Sequence, residues 1–369
     1  MPTSDRKSQQ VYQWLLAYID ENKFSGHQKL PSENALCRRL SVSRETVRVA
    51  MNQLVQEGLI YRVKGSGTFF YRDQAISREL SQGNAPWKIG LILQGQDPQA
   101  NSDLIDGIRS VLESQRVDLS IFLTDNKFSN ERRCLQAMMH QNFQGFIVDG
   151  VKASIMNPNL DCYKELYRRK IPVIFYNNYY KSLPFPRVII NDKECADGLV
   201  GRLIQAGHRR IAGIFVYDNY QSVEKFQGMA ETMRKHGVEM KDHYIKWCIS
   251  DEAHSPSYVR SIEKFLRGLP KCTAIVCCNY MIYQLVRQAL DKMGKSVPED
   301  YSLVCFDYSG SKPSREGITC SVARSYEMGC ELGKRLMRMI ENQDCDDINY
   351  SYVMKPVIHD GLSIRELIK

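Results

Sequence analysis

The chain has 369 residues, 43% of them hydrophobic and 25% charged, a composition that excludes a disordered or fibrous protein and allows two or three domains with real cores. No apolar run approaches the roughly 18 residues of a membrane span, and the polar start Met1-Pro2-Thr3-Ser4-Asp5-Arg6-Lys7 is unlike a secretory signal; the expectation is a cytoplasmic protein without a membrane partner. The net charge of +8 is uneven, with eleven Lys and Arg against six Asp and Glu in residues 1–72 and 39 against 36 in the rest, the footprint of a small nucleic-acid reader attached to a nearly neutral body.

In the first block, Val11, Leu15 and Ile19, with Tyr12 and Leu16, recur at helical spacing and predict one amphipathic helix ending near Phe24-Ser25-Gly26. Ser32 is placed to cap a second short helix, with Glu33 at the positive end of its dipole and Ala35, Leu36 and Leu40 turned inward. Ser41-Val42-Ser43 breaks that helix, and Ser43 caps a third from Arg44 to about Glu57, closed by Gly58. Strands at Leu59–Val63 and Thr68–Tyr71 follow, joined by the turn Lys64-Gly65-Ser66-Gly67. Three helices and a hairpin outline a winged helix-turn-helix over residues 1–72.

Residues 73–86 are polar and aperiodic and read as a linker. From Trp87 to residue 369, short apolar runs alternate with amphipathic stretches. Strands are expected at Ile89–Leu93, Leu119–Leu123, Phe146–Val148, Val173–Tyr176, Ile211–Val216, Ala274–Cys277 and Ser302–Phe306. Helices are expected at Ser102–Gln115, Asn130–Gln141, Glu194–Gln205, Val223–His236 and Asn279–Met293. Such alternation predicts an α/β body of doubly wound parallel sheets. Its size, about 280 residues, calls for two lobes, with ligands in the crevice at the strands' carboxyl ends.

The third predicted helix has an apolar face of Val47, Ala50, Met51 and Leu54. Arg44, Arg48 and Asn52, with Glu45 and Thr46, are assigned to the opposite face. Arginine can donate bidentately to guanine and asparagine can read adenine in a major groove, while Lys64 and the amides of its glycine turn suit phosphates or a minor groove. For one helix alone, arginines placed for solubility would look the same. The joint pattern Leu30-Pro31-Ser32-Glu33, Val42-Ser43-Arg44-Glu45-Thr46-Val47-Arg48, Leu54-Val55-Gln56-Glu57-Gly58-Leu59-Ile60 and Lys64-Gly65-Ser66-Gly67-Thr68-Phe69 decides the matter. It resembles the winged helix-turn-helix of the GntR family over nearly all of residues 10–71. That resemblance implies DNA contacts by Arg44 and Arg48, helped by Glu45, Thr46 and the wing at Lys64, Gly65 and Ser66.

Further along, Gly207-His208-Arg209-Arg210-Ile211-Ala212, Val297-Pro298-Glu299-Asp300 and Leu303-Val304-Cys305-Phe306-Asp307 are similar to the LacI-type, periplasmic-binding-protein-like (type I) regulatory domain. A GntR-type reader on a LacI-type sensor resembles the bacterial arabinose repressor group, as do Asn130-Glu131-Arg132-Arg133 and Asn157-Pro158-Asn159. The resemblance places Lys225, Asn279 and Asp307 in an effector cleft, where sugar hydroxyls need charged or amide partners of fixed geometry. Asn279 and Asp307 follow predicted strands, and each could equally be a helix cap or turn residue.

Three positions depart from the family pattern. Lys225 stands where arginine is usual, losing a bidentate fork. Tyr280 and Tyr308 stand where acidic residues are usual, and either stack on a sugar face or pack the cleft wall. On the first lobe Asp149, Lys152, Asn177 and Tyr179 follow strands and are further candidates, against the alternative that residues 177–180 are a hinge crossing packed for structure.

No other chemistry is legible. There is no Cys-x-x-Cys pair, no His-Glu-x-x-His pattern and no Gly-x-Ser-x-Gly elbow; Gly294-Lys295-Ser296 lacks the leading glycine of a phosphate loop. The twelve cysteines read as thiols. Neither a cofactor nor a metal is implied, and the carboxylates form no catalytic constellation. The expectation is a homodimeric regulator on a pseudo-palindromic operator in double-stranded DNA, repressing carbohydrate-utilisation genes until a monosaccharide or derivative binds. Activation, or a phosphosugar, a non-sugar or no effector at all, remains open from sequence. A solute-binding protein and a sugar-modifying enzyme are the remoter alternatives.

Overall fold

A computed structural model describes residues 3–21, 29–56, 60–63, 67–70, 87–95, 98–113, 117–139, 141, 143–255, 257–269, 271–310, 313–342 and 349–367. Gly58, the wing turn at Lys64, Gly65 and Ser66, and the linker assigned to 73–86 lie outside the described residues.

The first unit comprises α1 (Thr3–Glu21), α2 (Glu33–Leu40), α3 (Arg44–Gln56) and the antiparallel pair β1 (Ile60–Val63) and β2 (Gly67–Phe70). Val11, Leu15 and Ile19 of α1 meet Leu36, Val47, Ala50, Met51, Leu54 and Ile60 in one small core. Trp14 and Tyr18 stack at 5.0 Å, and the Arg39 guanidinium lies 5.0 Å from the Trp14 ring centroid, fastening α2 to α1. The Leu30 amide donates to the Thr68 carbonyl at 2.8 Å, tying the entry of α2 to the wing strand.

The body contains two lobes. Its strands are β3 (Trp87–Leu93), β4 (Val117–Leu123), β5 (Phe143–Val148), β6 (Val173–Tyr176), β7 (Arg187–Ile190), β8 (Ile211–Val216), β9 (Ile245–Cys248), β10 (Ala274–Cys277), β11 (Ser302–Tyr308), β12 (Thr319–Val322), β13 (Tyr352–Met354) and β14 (Ile358–His359). The N-lobe sheet runs β4-β3-β5-β6-β7-β13 and is parallel throughout; the C-lobe sheet runs β9-β8-β10-β11-β12-β14, with only β14 antiparallel. Both are doubly wound sheets, so the α/β, two-lobed, periplasmic-binding-protein-like architecture is what the chain adopts.

The helices of the body are α4 (Pro98–Leu112), α5 (Phe128–Met139), α6 (Leu160–Arg168), α7 (Asp192–Gln205), α8 (Tyr220–Lys235), α9 (Ser250–Ala253), α10 (Tyr258–Arg267), α11 (Tyr280–Lys292), α12 (Pro313–Glu316) and α13 (Ser325–Glu341). The chain passes between lobes at three places: between β7 and α7, between β12 and α13, and between β13 and β14. Residues 177–186 connect β6 to β7 inside the N-lobe, so the expected hinge crossing at 177–180 is a packed loop instead.

Side chains of the central N-lobe strands alternate between two covered faces as the pleat demands. Ile89, Leu91 and Ile147 face α4 and α13, whereas Ile92, Phe146 and Val148 face the layer holding α5 and α6. The seven strands expected from apolar runs are all present. β7, β9, β12, β13 and β14 were not expected: polar residues sit within β7, β9, β12 and β14, and β13 has only three residues.

Candidate DNA-reading helix and interlobe effector site

α3 begins as its sequence dictates: Ser43 Oγ accepts from the Thr46 amide at 3.2 Å. One expectation changes here. Thr46 is only 9% exposed, and its hydroxyl lies 2.8 Å from Ser43 Oγ. A short β-branched side chain at N3 folds back on the cap, so Thr46 does not stand on the outward face. That face carries Arg44, Glu45, Arg48, Val49 and Asn52, all exposed, with Arg48 and Glu45 paired at 3.3 Å. Val49, 47% exposed, was passed over in the sequence; its signal was its place one residue after Arg48, where an apolar side chain suits a thymine methyl. Ser32 caps α2, accepting from the Ala35 amide at 3.2 Å.

In the C-lobe, Asn279 ends the β10 connection and caps α11, its Oδ1 accepting from the Ile282 amide at 2.8 Å; the capping alternative describes that oxygen. Asp307 lies near the end of β11 in the left-handed region (φ 48°), its amide donating to Ser321 Oγ at 2.9 Å. Such backbone is unusual for a residue other than glycine and recurs at functional sites; Lys152 (φ 42°) and Asn177 (φ 50°) share it. Lys225, on α8, is 2% exposed. Its ammonium donates to Asp307 Oδ2 and, at 3.2 Å, to the Cys278 carbonyl.

Asp192, at the first position of α7 just past the first interlobe crossing, joins this group with Oδ1 4.0 Å from the Lys225 ammonium. That oxygen is buried and has no hydrogen-bond partner among the described residues. Sequence reasoning missed Asp192; its signal was Asn191-Asp192 directly after the apolar run Val188-Ile189-Ile190. Burial alone would lower the Lys225 ammonium, but Asp307 and Asp192 outweigh it and hold the group protonated, above the usual lysine range. Burial, reinforced by Asp307 and Glu224, pushes Asp192 well above the usual carboxylate range against the pull of Lys225.

Tyr280 and Tyr308 meet edge to face at 4.7 Å. Tyr308 is buried, its ring against Gly310, where a Cβ would come within 2.4 Å of the hydroxyl. Packing of the wall therefore describes Tyr308. Tyr280 is half-buried and stacks on Tyr283 at 5.9 Å.

On the N-lobe, Asp149 follows β5 and accepts from Asn178 Nδ2 at 3.0 Å; burial, opposed by that amide, pushes its carboxyl up to about 7. Lys152 and Tyr179 are engaged lobe to lobe. The Lys152 ammonium lies 2.9 Å from Asp251 and 3.8 Å from Asp218, both in the C-lobe. The Tyr179 ring meets Tyr220 of α8 edge to face at 4.7 Å and carries the Arg187 guanidinium 4.3 Å from its centroid. The structure thus brings Lys225, Asp307, Asn279, Tyr280 and Tyr308 together at the carboxyl ends of the adjacent strands β10 and β11, and engages Lys152 and Tyr179 in contacts with the other lobe. Among the described residues no group of three or more His, Cys, Asp or Glu could hold a metal, the cysteines are free thiols, and no helix is long and apolar enough to cross a membrane.

Comparison with known proteins agrees with this architecture. Residues 7–70 match the model of bacterial regulatory proteins of the gntR family, and residues 200–358 match the periplasmic-binding-protein-like domain. The chain is 28% identical to an arabinose metabolism transcriptional repressor of Geobacillus stearothermophilus over 97% of each chain. It is 30% identical to the arabinose metabolism transcriptional repressor of Halalkalibacterium halodurans over 91% of this chain and 90% of that one. A LacI family transcriptional regulator of Enterococcus faecium solved with bound ribose superposes with a TM-score of 0.62 at 19% identity, covering 76% of this chain and all of the other. With a GntR reader, a LacI-like two-lobed body and this identity across nine-tenths of both sequences, the chain belongs to the family of the arabinose metabolism transcriptional repressors, DNA-binding regulators of carbohydrate metabolism.

Proposed function

We propose that this regulator represses carbohydrate-utilisation genes and is released from its operator by a neutral monosaccharide bound between the lobes. The observation that carries the reading is the group of buried Lys225 and Asp192 with half-buried Asp307, in which one ammonium faces two carboxylates. It holds no excess of positive charge for a phosphate or a sugar acid, and its acceptors and donor match the hydroxyls of a neutral sugar. Asp307 and Asp192 would accept from hydroxyls, Lys225 and Asn279 would donate, and Tyr280 would offer its ring to the apolar face of the sugar. The ribose bound by the Enterococcus faecium relative is consistent with a sugar in such a cleft.

On the DNA side, Arg44, Arg48, Val49 and Asn52 would read base edges, with Glu45 orienting Arg48, and Lys64, Gly65 and Ser66 would approach phosphates or a minor groove. Ser32 and Ser43, at two helix starts, would meet phosphates with hydroxyls that already serve as caps. Two copies in a homodimer would place two readers on a pseudo-palindromic operator in the cytoplasm. Free energy passes from sugar to DNA only through a difference in affinity for the two states, typically about 1–3 kcal/mol.

The test is a thermal-shift screen against pentoses, deoxyhexoses, sugar acids and phosphosugars, followed by operator release with whichever compound stabilises the protein. A neutral sugar that raises the melting temperature and releases DNA supports the reading. A response to phosphosugars alone overturns the neutral-sugar assignment, tighter operator binding with the sugar reverses its sign, and turnover of the sugar would make the body an enzyme.

A further inference from the structure

Glu131, on α5 of the N-lobe, is 0% exposed, and no cation pairs with it among the described residues. Burying a carboxylate is costly unless its lone pairs are taken by well-placed donors. Four donors do this. Oε2 accepts from Nδ2 of Asn157 and of Asn159, both at 2.8 Å; Oε1 accepts from the hydroxyls of Tyr163 at 2.8 Å and Tyr180 at 2.7 Å. The Tyr180 hydroxyl also lies 2.9 Å from the Val151 carbonyl, and Asn159 Nδ2 from the Phe128 carbonyl at 2.8 Å. One carboxylate therefore ties the loop 151–159 to the loop 177–186 and to α6.

Those two loops supply the N-lobe half of a clasp on the C-lobe. Lys152 reaches Asp251 and Asp218, and the Ser154 hydroxyl donates to the Tyr217 carbonyl. Asn178 Oδ1 accepts from the Gln221 amide at 3.4 Å, and Lys181 lies 3.9 Å from Glu224 with its ammonium 4.8 Å from the Tyr220 ring centroid. One oxygen of Asp218 is buried without a hydrogen-bond partner among the described residues, and the Lys152 ammonium lies 3.8 Å from it.

We propose that Glu131 is a positioning residue for the effector response: by fixing the two loops it sets Lys152 in place to clasp the C-lobe, and the clasp holds the lobes together around the bound sugar. The last clause rests on the sugar-release reading above; the clasp itself does not. A network of this kind is felt as a unit, so removing one member removes the function of the rest.

The experiment measures backbone amide hydrogen exchange of residues 217–224 in the full chain without sugar, for wild type, Glu131→Gln, Lys152→Met and the double variant. Glu131→Gln is expected to speed exchange in 217–224 about tenfold, as Lys152→Met does, with the double variant no faster than Lys152→Met alone. Tyr180→Phe, which removes only the hydroxyl shared between Glu131 and the Val151 carbonyl, should give the same pattern at smaller size and replaces Glu131→Gln should that variant not fold. Faster exchange confined to 151–159 and 177–186, or full additivity in the double variant, overturns the proposal. The sugar reading fails separately, when no sugar shifts the wild-type melt. With a sugar that does, Glu131→Gln should raise the concentration needed for half-release while leaving sugar-free operator affinity unchanged, and an unchanged midpoint contradicts a role in the response.

Discussion

The Lys225 ammonium and the Asp307 carboxylate form an ion pair in which the lysine side chain is 2% exposed and the aspartate 20%. Breaking a buried pair by removing one partner costs about 3–5 kcal/mol, because the remaining charge is left uncompensated. Asp192, 4.0 Å away, offsets part of that loss. Asp307→Ala is therefore expected to lower the melting temperature, to leave sugar-free operator binding intact, and to abolish release by the effector. Operator titrations with and without sugar check it, and a variant that still releases DNA normally would show that Asp307 is not in the effector site.

Arg48 is expected to behave in the opposite way. Its side chain is 58% exposed and its pair with Glu45 lies on the surface, where such pairs contribute about 0–1 kcal/mol. A bidentate base contact discriminates by about 1–3 kcal/mol. Arg48→Ala should leave the melting temperature nearly unchanged and weaken operator binding roughly tenfold to a hundredfold. Gel shifts against operator and scrambled duplex measure this, and unaltered operator affinity would remove α3 from the major groove.

What could be read from the sequence follows from where the physics is local. The caps at Ser32 and Ser43 were legible because each is a short-range contact three residues long. The seven expected strands of the body were legible from continuous apolar runs, as fully buried parallel strands should be. Asn279 and Asp307 were placed at strand ends by counting from those runs. The inward turn of Thr46 was not legible, because helical spacing allowed either face and the Ser43 hydroxyl decided it. Nor were the partners of Lys152, Asp251 and Asp218, which lie 99 and 66 positions away in the chain and come close only where the two lobes meet. Asp192 was hidden for a related reason: a residue opening a helix reads as a dipole-compensating acid until the packing of α7 on α8 within the C-lobe brings Lys225 beside it.

The helix pair α4 and α13 offers a test of N-lobe packing. A Cβ on Gly329 would lie 2.1 Å from the Leu104 carbonyl oxygen, and one on Gly107 2.0 Å from the Tyr326 carbonyl oxygen. These obstacles are backbone, so the helices must separate to admit a methyl group. Gly329→Ala is expected to destabilise the protein by about 1–3 kcal/mol, the usual cost of overpacking. Urea unfolding with an intrinsic N-lobe probe would read it, and an unchanged midpoint would mean that the two helices sit farther apart.

Asp149 gives the expected pH dependence. Its carboxyl is pushed up to about 7 by burial, against the lowering effect of the Asn178 amide. An unfolded aspartate titrates near 3.9, so between about pH 4 and pH 7 the folded protein holds a proton that the unfolded chain has released. Stability contributed by this group is accordingly full below the unfolded value, is lost progressively as pH rises through that window, and is flat above it. Asp149→Asn keeps an acceptor for Asn178 and removes the titration, so it should flatten that part of the profile and leave the variant more stable than wild type near neutral pH. Melting temperatures of both proteins across pH 5 to pH 8 decide the point, since parallel curves would mean that Asp149 titrates alike in the folded and unfolded chains.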